Sequence, residues 1–358
     1  MLSNTLTKLL QLKYPIIQAP MAGGITTTKL VTAVSSNGGL GMIGAGYMGP
    51  DQLRHQIKEI KQKDVHNFGV NLFVPNDFTV TDNDLRNANE LLQPIRETLN
   101  THTEQVELPT MDQMTKTFHE QIKVVLEERV PICSFTFAVP SKEDIATLKQ
   151  QDIFTIGTAT TVQEAMEVEH SGMDAVVLQG VEAGGHRGSF IDATEENGIG
   201  LMALIPQVVD TIEIPVIAAG GIMDGRGLAA SLCLGAQGVQ MGTAFLTTEE
   251  SGAHDVHKEA ILHTQENEII LTRSFSGKLA QGIKNDFTEQ IKEHEDDLPA
   301  FPIQNTLTQS IRKAASQENN KEFMSLWSGQ SPRLAKKQTV KNLMETIITQ
   351  VNKIKRNE

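Results

Sequence analysis

Eight short apolar runs, each followed by a turn and a helix-like stretch, narrow what this chain can become. They fall at residues 15–18, 40–45, 68–74, 131–137, 154–159, 175–179, 215–219 and 239–245. Each is apolar on both faces, as a parallel strand covered by helices must be. Several successive starts lie about two dozen residues apart, the length of one βα unit. Eight such units predict an α/β fold of the (β/α)8 TIM-barrel type, with ligand chemistry on the loops that follow the strands. A doubly wound sheet is the alternative, but no switch point interrupts the even units.

Two spacings break the rhythm, one after the third run and one after the sixth. Residues 76–128 are polar, with a helical pattern around Leu85, Leu91, Leu92 and Ile95, and read as an insertion after strand three. From 249 to 334 the strand rhythm stops and the chain reads as helices and loops. Helices are predicted at 251–264 and 308–319, separated by Pro299 and Pro302. Val340, Leu343, Met344, Ile347, Ile348, Val351 and Ile354 then share one helical face. The expected organisation is a barrel over 1–248, a smaller helical lid or second domain over 249–334, and a closing helix in 335–358 that packs back on the barrel.

Charge removes several function classes. A formal net charge of −13 opposes binding to nucleic acid or to an anionic membrane surface. The first eleven residues are polar, so no secretory signal is expected, and no apolar run is long enough to span a bilayer. Cys133 and Cys233 lie in apolar runs and read as buried thiols, which suggests a reducing, cytoplasmic setting.

The densest chemistry lies in Gln179-Gly-Val-Glu-Ala-Gly-Gly-His-Arg-Gly-Ser189. Gly184 and Gly185 carry no Cβ, so a flat ligand can approach the backbone, and either can adopt positive φ. His186 is thereby offered as a proton-exchanging group, although a histidine that merely caps a loop is the plainer reading. Glu182 is a second acid/base candidate behind it. Near the end, strands seven and eight run into Gly220-Gly221 and Gly242-Thr243, with Asp224-Gly-Arg-Gly-Leu228 between them. Backbone amides at such turns can hold a phosphate, with the Thr243 hydroxyl assisting; otherwise the glycines only form tight turns. Asn71, Gln179 and Gln240 interrupt apolar strands, and buried carboxamides need partners. They can read the polar edge of a flavin, or bond to one another inside the barrel. Pro20 and Met21 can pack beneath a ring system.

Other signals carry less. Gly39-Leu-Gly-Met-Ile-Gly44 matches G-x-G-x-x-G in letters, but sits inside a strand rather than opening a helix. His254 and His257 have metal-compatible spacing yet no supporting ligand set, and a solvated helix is expected. No metal site is predicted.

Taken together, these residues resemble the nitronate monooxygenases (2-nitropropane dioxygenases), of the bacterial FMN-dependent type. The likeness runs over nearly the whole chain. It rests on Pro15-Ile-Ile-Gln-Ala-Pro-Met-Ala22, Gly69-Val-Asn-Leu-Phe-Val74, Gly180-Val-Glu-Ala-Gly-Gly-His-Arg-Gly188, Ile217-Ala-Ala-Gly-Gly-Ile222 and Gln240-Met-Gly-Thr243. Arg273-Ser-Phe-Ser-Gly277, Gly282-Ile-Lys-Asn285 and Phe323-Met-Ser-Leu-Trp-Ser-Gly-Gln330 add to it. The resemblance implies an FMN-binding barrel that oxidises alkyl nitronates, such as propionate 3-nitronate, with O2 to a carbonyl compound and nitrite, a detoxification role. It implies FMN contacts at Asn71, Gln179, Gly184, Gly221, Gln240, Met241, Gly242 and Thr243, and His186 as the active-site histidine. His186 would take the α-proton of a neutral nitroalkane and, as imidazolium, stabilise a bound anion. The expected partners are a small nitronate and O2, with self-association into a homo-oligomer left open. Gln281 stands where arginine is expected, which puts a substrate-anion contact there in doubt. The same glycine–histidine segment occurs in flavin-dependent enoyl-acyl-carrier-protein reductases using NAD(P)H. That reaction, and a non-catalytic phosphate-ligand-binding barrel, are the alternatives.

Overall fold

A computed structural model describes residues 2–101, 107–191 and 198–356. Eight parallel strands form one sheet: β1 (Ile16–Gln18), β2 (Gly41–Gly44), β3 (Phe68–Phe73), β4 (Ile132–Thr136), β5 (Phe154–Ala159), β6 (Ala175–Gln179), β8 (Val216–Ala219) and β9 (Gly238–Met241). Between β6 and β8 lies β7 (Gly185–His186), which leaves the barrel to join β10 (Ile269–Thr272) and β11 (Ala280–Ile283). The barrel order is β1-β9-β8-β6-β5-β4-β3-β2, and a parallel bridge from Ile17 to Leu40 brings β1 beside β2. The Gln18 carboxamide reinforces that seam. Its Oε1 accepts the Met42 N–H at 3.1 Å and its Nε2 donates to the Met42 carbonyl at 3.2 Å, as a strand backbone would.

Alternation along the strands sorts two apolar layers. Ile16, Ile43, Val70, Cys133, Val176, Val216 and Val239 face the helices. Ile17, Met42, Ile132, Ile156, Val177 and Ile217 fill the barrel interior, plugged from the amino end by Leu6 and Leu10. Towards the carboxyl ends the inward positions become polar: Asn71, Ser134, Gln179 and Gln240. Gln179, Ala219 and Gln240 lie side by side in register across β6, β8 and β9. Gly41 and Gly44 of the G-x-G-x-x-G letters serve packing. A Cβ on Gly41 would meet the Val31 carbonyl at 2.3 Å, and one on Gly44 the Met21–Ala22 backbone at 2.6–2.7 Å.

A second core lies above the mouth. Ala88, Leu92 and Ile95, from the helix Asp82–Thr98, pack there with Phe275, Phe287, Ile303, Ile311 and Leu326. The second helix of the 76–128 segment, Met111–Glu127, instead turns Phe118, Ile122 and Val125 into the barrel core. The region after 249 is not helices and loops alone, because β10 and β11 form an antiparallel pair in it and β11 pairs with β7. Periodicity missed these strands for a physical reason: Ala280-Gln-Gly-Ile283 has little intrinsic strand preference and is held by tertiary pairing. The predicted strand 239–245 also ends early, and Thr243–Leu246 turns helical. Cys133 is buried as expected, whereas Cys233 is exposed.

The helix Val340–Arg356 buries Val340, Leu343, Met344, Ile347 and Val351. It packs so closely on the helix Gly225–Cys233 that a Cβ on Gly225 would meet the Ile347 carbonyl at 2.5 Å, and the Gly225 N–H donates to Gln350 Oε1 at 2.7 Å. Ile347→Ala is expected to cost about 2–4 kcal/mol of stability. A lowered urea midpoint with an unchanged denaturant slope would show it, and an unmoved midpoint would mean this helix is not part of the cooperative core.

Candidate active site

The loop after β6 is tied back to the barrel by three polar groups. Gln179 Nε2 donates to the His186 carbonyl at 2.9 Å, while its Oε1 accepts the Gly188 N–H at 2.8 Å. Arg187, 8% exposed, donates through Nη1 to the Gly180 carbonyl at 2.7 Å. Glu164, fully buried, accepts from Thr160 N and Oγ1 and from the N–H groups of Phe190 and Ile191, at 2.5–3.0 Å. Burial lowers the Arg187 pKa, and the Glu164 and Glu182 carboxylates oppose that shift. Glu182 is no partner of the imidazole: its Oε1 accepts the Leu201 N–H at 2.9 Å, at the start of the next helix.

Antiparallel pairing of Ala280 with His186 then sets the imidazole over the mouth. Its ring centroid lies 6.0 Å from Phe137, 5.8 Å from Phe301 and 5.5 Å from Trp327. Phe137 follows β4 at φ +80°, a strained backbone for an aromatic residue and one that such sites often retain. Lys278 Nζ sits 5.3 Å over the Phe137 ring and donates to the Ser189 carbonyl at 3.1 Å.

These surroundings decide the charges. Desolvation first, then the positive fields of Lys278 and Arg312, push the His186 pKa down from 6.5 to about 3. The group is therefore a neutral imidazole at physiological pH, where the sequence reading allowed an imidazolium once an anion is bound. Positive charge comes instead from Lys278, whose pKa burial lowers from 10.5 to about 8, and from the half-buried Arg312. Arg312 bonds to Thr308 Oγ1 and to the carbonyl and side chain of Asn305.

The other expected residues divide. Asn71 is buried and donates to Ser134 Oγ at 2.9 Å and Thr136 Oγ1 at 3.0 Å. Gln240 points inward, with no hydrogen bond of its carboxamide among the described residues. Gly185 has φ +75° with nothing within 4 Å of a Cβ, so it is the open glycine. Gly184 is closed on its Cβ side, where Ser328 and Gly329 backbone atoms lie at 2.5 Å. Gly221 has φ +62°. Gly242 caps Thr243–Leu246 without any side-chain cap, and Thr243 Oγ1 accepts the Gly329 N–H at 3.0 Å. Met241 turns its side chain into the helix-facing core, which leaves only its backbone to the site. Asp224 and Gly225 are not part of the turn, since Asp224 caps its own helix through the Arg226 N–H. Gln281 is buried, donates to the Ala183 carbonyl at 2.9 Å and accepts from Gln330 Nε2 at 3.2 Å, so it braces the loop.

Sequence reasoning missed Glu164, Phe137, Phe301, Lys278 and Arg312. Lys278 adjoins the Arg273–Gly277 motif and Trp327 lies within a quoted one, but no local pattern marks Glu164 or Phe137. His257 is not on a solvated face: it is buried, Nε2 donates to the Trp327 carbonyl at 2.9 Å, and desolvation lowers its pKa to about 4. No metal-ligand cluster exists among the described residues. No helix among them is long and apolar enough to cross a membrane.

A closed parallel barrel with polar groups at its carboxyl mouth and a neutral imidazole above them is the framework of a TIM-barrel enzyme that handles a flat ligand. The nitronate monooxygenase family profile matches residues 3–350. A probable nitronate monooxygenase of Staphylococcus haemolyticus is 52% identical over 98% of this chain and 97% of its own length. One from Staphylococcus aureus is 49% identical over 98% of both chains. Among solved structures, nitroalkane oxidase from Streptomyces ansochromogenes superposes with a TM-score of 0.90 at 37% identity over 99% of each chain. FabK from Thermotoga maritima gives 0.77 at 31% identity, covering 100% of this chain and 98% of its own. The chain belongs to the nitronate monooxygenase family, flavin-dependent oxidoreductases that use molecular oxygen.

The lowered histidine pKa values carry a pH signature. Both are neutral when folded, so between 6.5 and their folded values the unfolded chain binds more protons. Their stability contribution is complete above pH 6.5 and is lost as pH falls towards 4 and then 3. His257→Gln should flatten the upper part of that decline in a thermal-melt series. A slope identical to that of the parent protein would contradict a buried neutral His257.

Proposed function

We propose that this chain holds FMN at the barrel mouth and oxidises small alkyl nitronates, with propionate 3-nitronate as the type, to a carbonyl compound and nitrite. The role that follows is detoxification of reactive nitro compounds in the cytoplasm. The observation that carries this reading is a neutral imidazole beside a cationic Lys278 over the polar carboxyl mouth, which suits an anionic nitronate at one side and a proton-accepting base at the other.

The residues present fit FMN. Gly221 at positive φ and the uncapped amide end at Gly242-Thr243 offer backbone donors for the phosphate. Gln240 and the Asn71 carboxamide oxygen point inward near the carboxyl ends of their strands and would give a ring edge polar partners. Gln179 has its carboxamide engaged at both ends by the loop, and the open Gly185 admits close approach. Bound FMN would supply the redox chemistry. The protein's part is positional and electrostatic. Lys278 attracts the nitronate oxygens, the wall of Phe137, Phe301 and Trp327 excludes water, and His186 accepts the α-proton when the substrate arrives as a neutral nitroalkane. The 249–334 region forms the chamber's outer wall in this reading.

Oxygen uptake on adding propionate 3-nitronate without nicotinamide is the deciding assay. Rapid NADH oxidation with an enoyl thioester, and no such uptake, would favour the reductase alternative. His186→Asn should retain flavin and lose nitroalkane turnover by roughly 10²–10⁴-fold while sparing preformed nitronate; undiminished nitroalkane turnover would remove His186 from the mechanism. For Lys278, kcat/KM towards nitronates should fall as pH rises through about 8, where the ammonium loses its proton. Lys278→Met should abolish that basic limb and raise KM roughly ten- to hundredfold.

A further inference from the structure

Ser276 lies in the turn of the Arg273-Ser-Phe-Ser-Gly277 motif, whose role the activity leaves unexplained. It is 1% exposed, and its Oγ stands 2.8 Å from His186 Nε2. The same Oγ lies 3.0 Å from the Lys278 carbonyl and 3.4 Å from the Lys278 N–H. A serine hydroxyl has one proton and two lone pairs. A carbonyl can only accept, so the hydroxyl proton goes to Lys278 O, which has no other donor among the described residues. The Lys278 N–H uses one lone pair. The remaining lone pair can face Nε2 only if Nε2 bears hydrogen. The opposite assignment, with Oγ–H directed at Nε2, would set two lone-pair oxygens 3.0 Å apart in a buried turn.

That turn cannot easily relax. The Ser274 carbonyl accepts from Gln304 Nε2 at 2.9 Å, the Phe275 carbonyl from Thr308 Oγ1 at 2.6 Å, and Phe275 stacks on Phe287 at 4.3 Å. Gly277 takes φ +76° where a Cβ would meet the Pro299 carbonyl at 2.1 Å. Nδ1, by contrast, makes no hydrogen bond among the described residues, and it is absent from the few buried polar atoms left unpartnered.

We propose that Ser276 is a positioning residue that locks His186 as the Nε2–H tautomer, making Nδ1 the atom that accepts the substrate α-proton. This rests on the reading of His186 as the base. In the step, the C–H bond of a neutral nitroalkane breaks and its electron pair moves onto the nitro group to give the nitronate. The proton forms a new N–H bond at Nδ1, which leaves an imidazolium beside the new anion. Preformed nitronates bypass the step and should be indifferent to the tautomer.

Long-range proton–nitrogen correlation spectra of histidine-labelled, flavin-loaded protein read the tautomer directly, with His186→Asn assigning the resonance. The expected result is a pyrrole-type Nε2 and a pyridine-type Nδ1; the reverse pattern, or an equal mixture, overturns the proposal without touching the base reading. In Ser276→Ala the pattern should become mixed, and kcat for a neutral nitroalkane should drop roughly ten- to hundredfold while nitronate kcat stays within about twofold. Ser276→Thr, which keeps the hydroxyl, should restore both. Equal losses for both substrates in Ser276→Ala would show a purely structural serine. The expected spectrum together with full nitroalkane activity in His186→Asn would instead defeat the base assignment while leaving the tautomer standing.

Discussion

The chamber depends on how the loop after β6 satisfies its backbone polar groups above a barrel mouth that offers few partners. A buried amide or carbonyl without a partner costs free energy comparable to a lost hydrogen bond. Gln179 meets that demand with both ends of its carboxamide, one on the His186 carbonyl and one on the Gly188 amide. Glu164 takes the amides of Phe190 and Ile191, and Arg187 the carbonyl of Gly180. With those groups occupied, the chain between them has no freedom to wander, and β11 can add β7 as an edge strand. The position of the imidazole over the mouth follows from that anchoring and from the pairing of Ala280 with His186.

The electrostatics then work by exclusion. Aromatic rings around His186 and the fields of Lys278 and Arg312 oppose a charged imidazole, so the resting base is neutral and the positive charge resides on the amine and guanidinium. Under the proposed function that separation assigns the two roles to two residues: Lys278 attracts the nitronate, while His186 keeps its lone pair for substrates that still carry a proton. A chain of net charge −13 nonetheless sets Lys278 and Arg312 around His186, and the Glu164 carboxylate, which accepts the Phe190 and Ile191 amides, supports the Lys278 ammonium.

Much of the frame was legible from local chemistry. Parallel strands covered on both sides must be apolar throughout, so eight runs were visible as eight strands, and the inward carboxamides stood out as polar interruptions. The closing helix was equally plain from its apolar face. Other expectations failed where a residue's surroundings come from distant chain. Cys233 sits in an apolar run yet is exposed, and His257 carries a helix-surface pattern yet is buried against Trp327. The strand Ala280–Ile283 has no pattern to betray it, because it is held between β10 and two residues of a loop nearly a hundred positions earlier.

The spacing of the apolar runs alone determined the barrel and its eight strands, and the Gly184-Gly185-His186 segment marked the loop that would carry the histidine, since both depend on residues close together in the chain. The protonation state of that histidine, the lysine beside it, the strained Phe137 and the serine that completes its hydrogen bonding were decided only by the tertiary structure. Desolvation and hydrogen-bond geometry are properties of neighbours in space, and those neighbours come from β4, β11 and the turn before it, far apart along the chain.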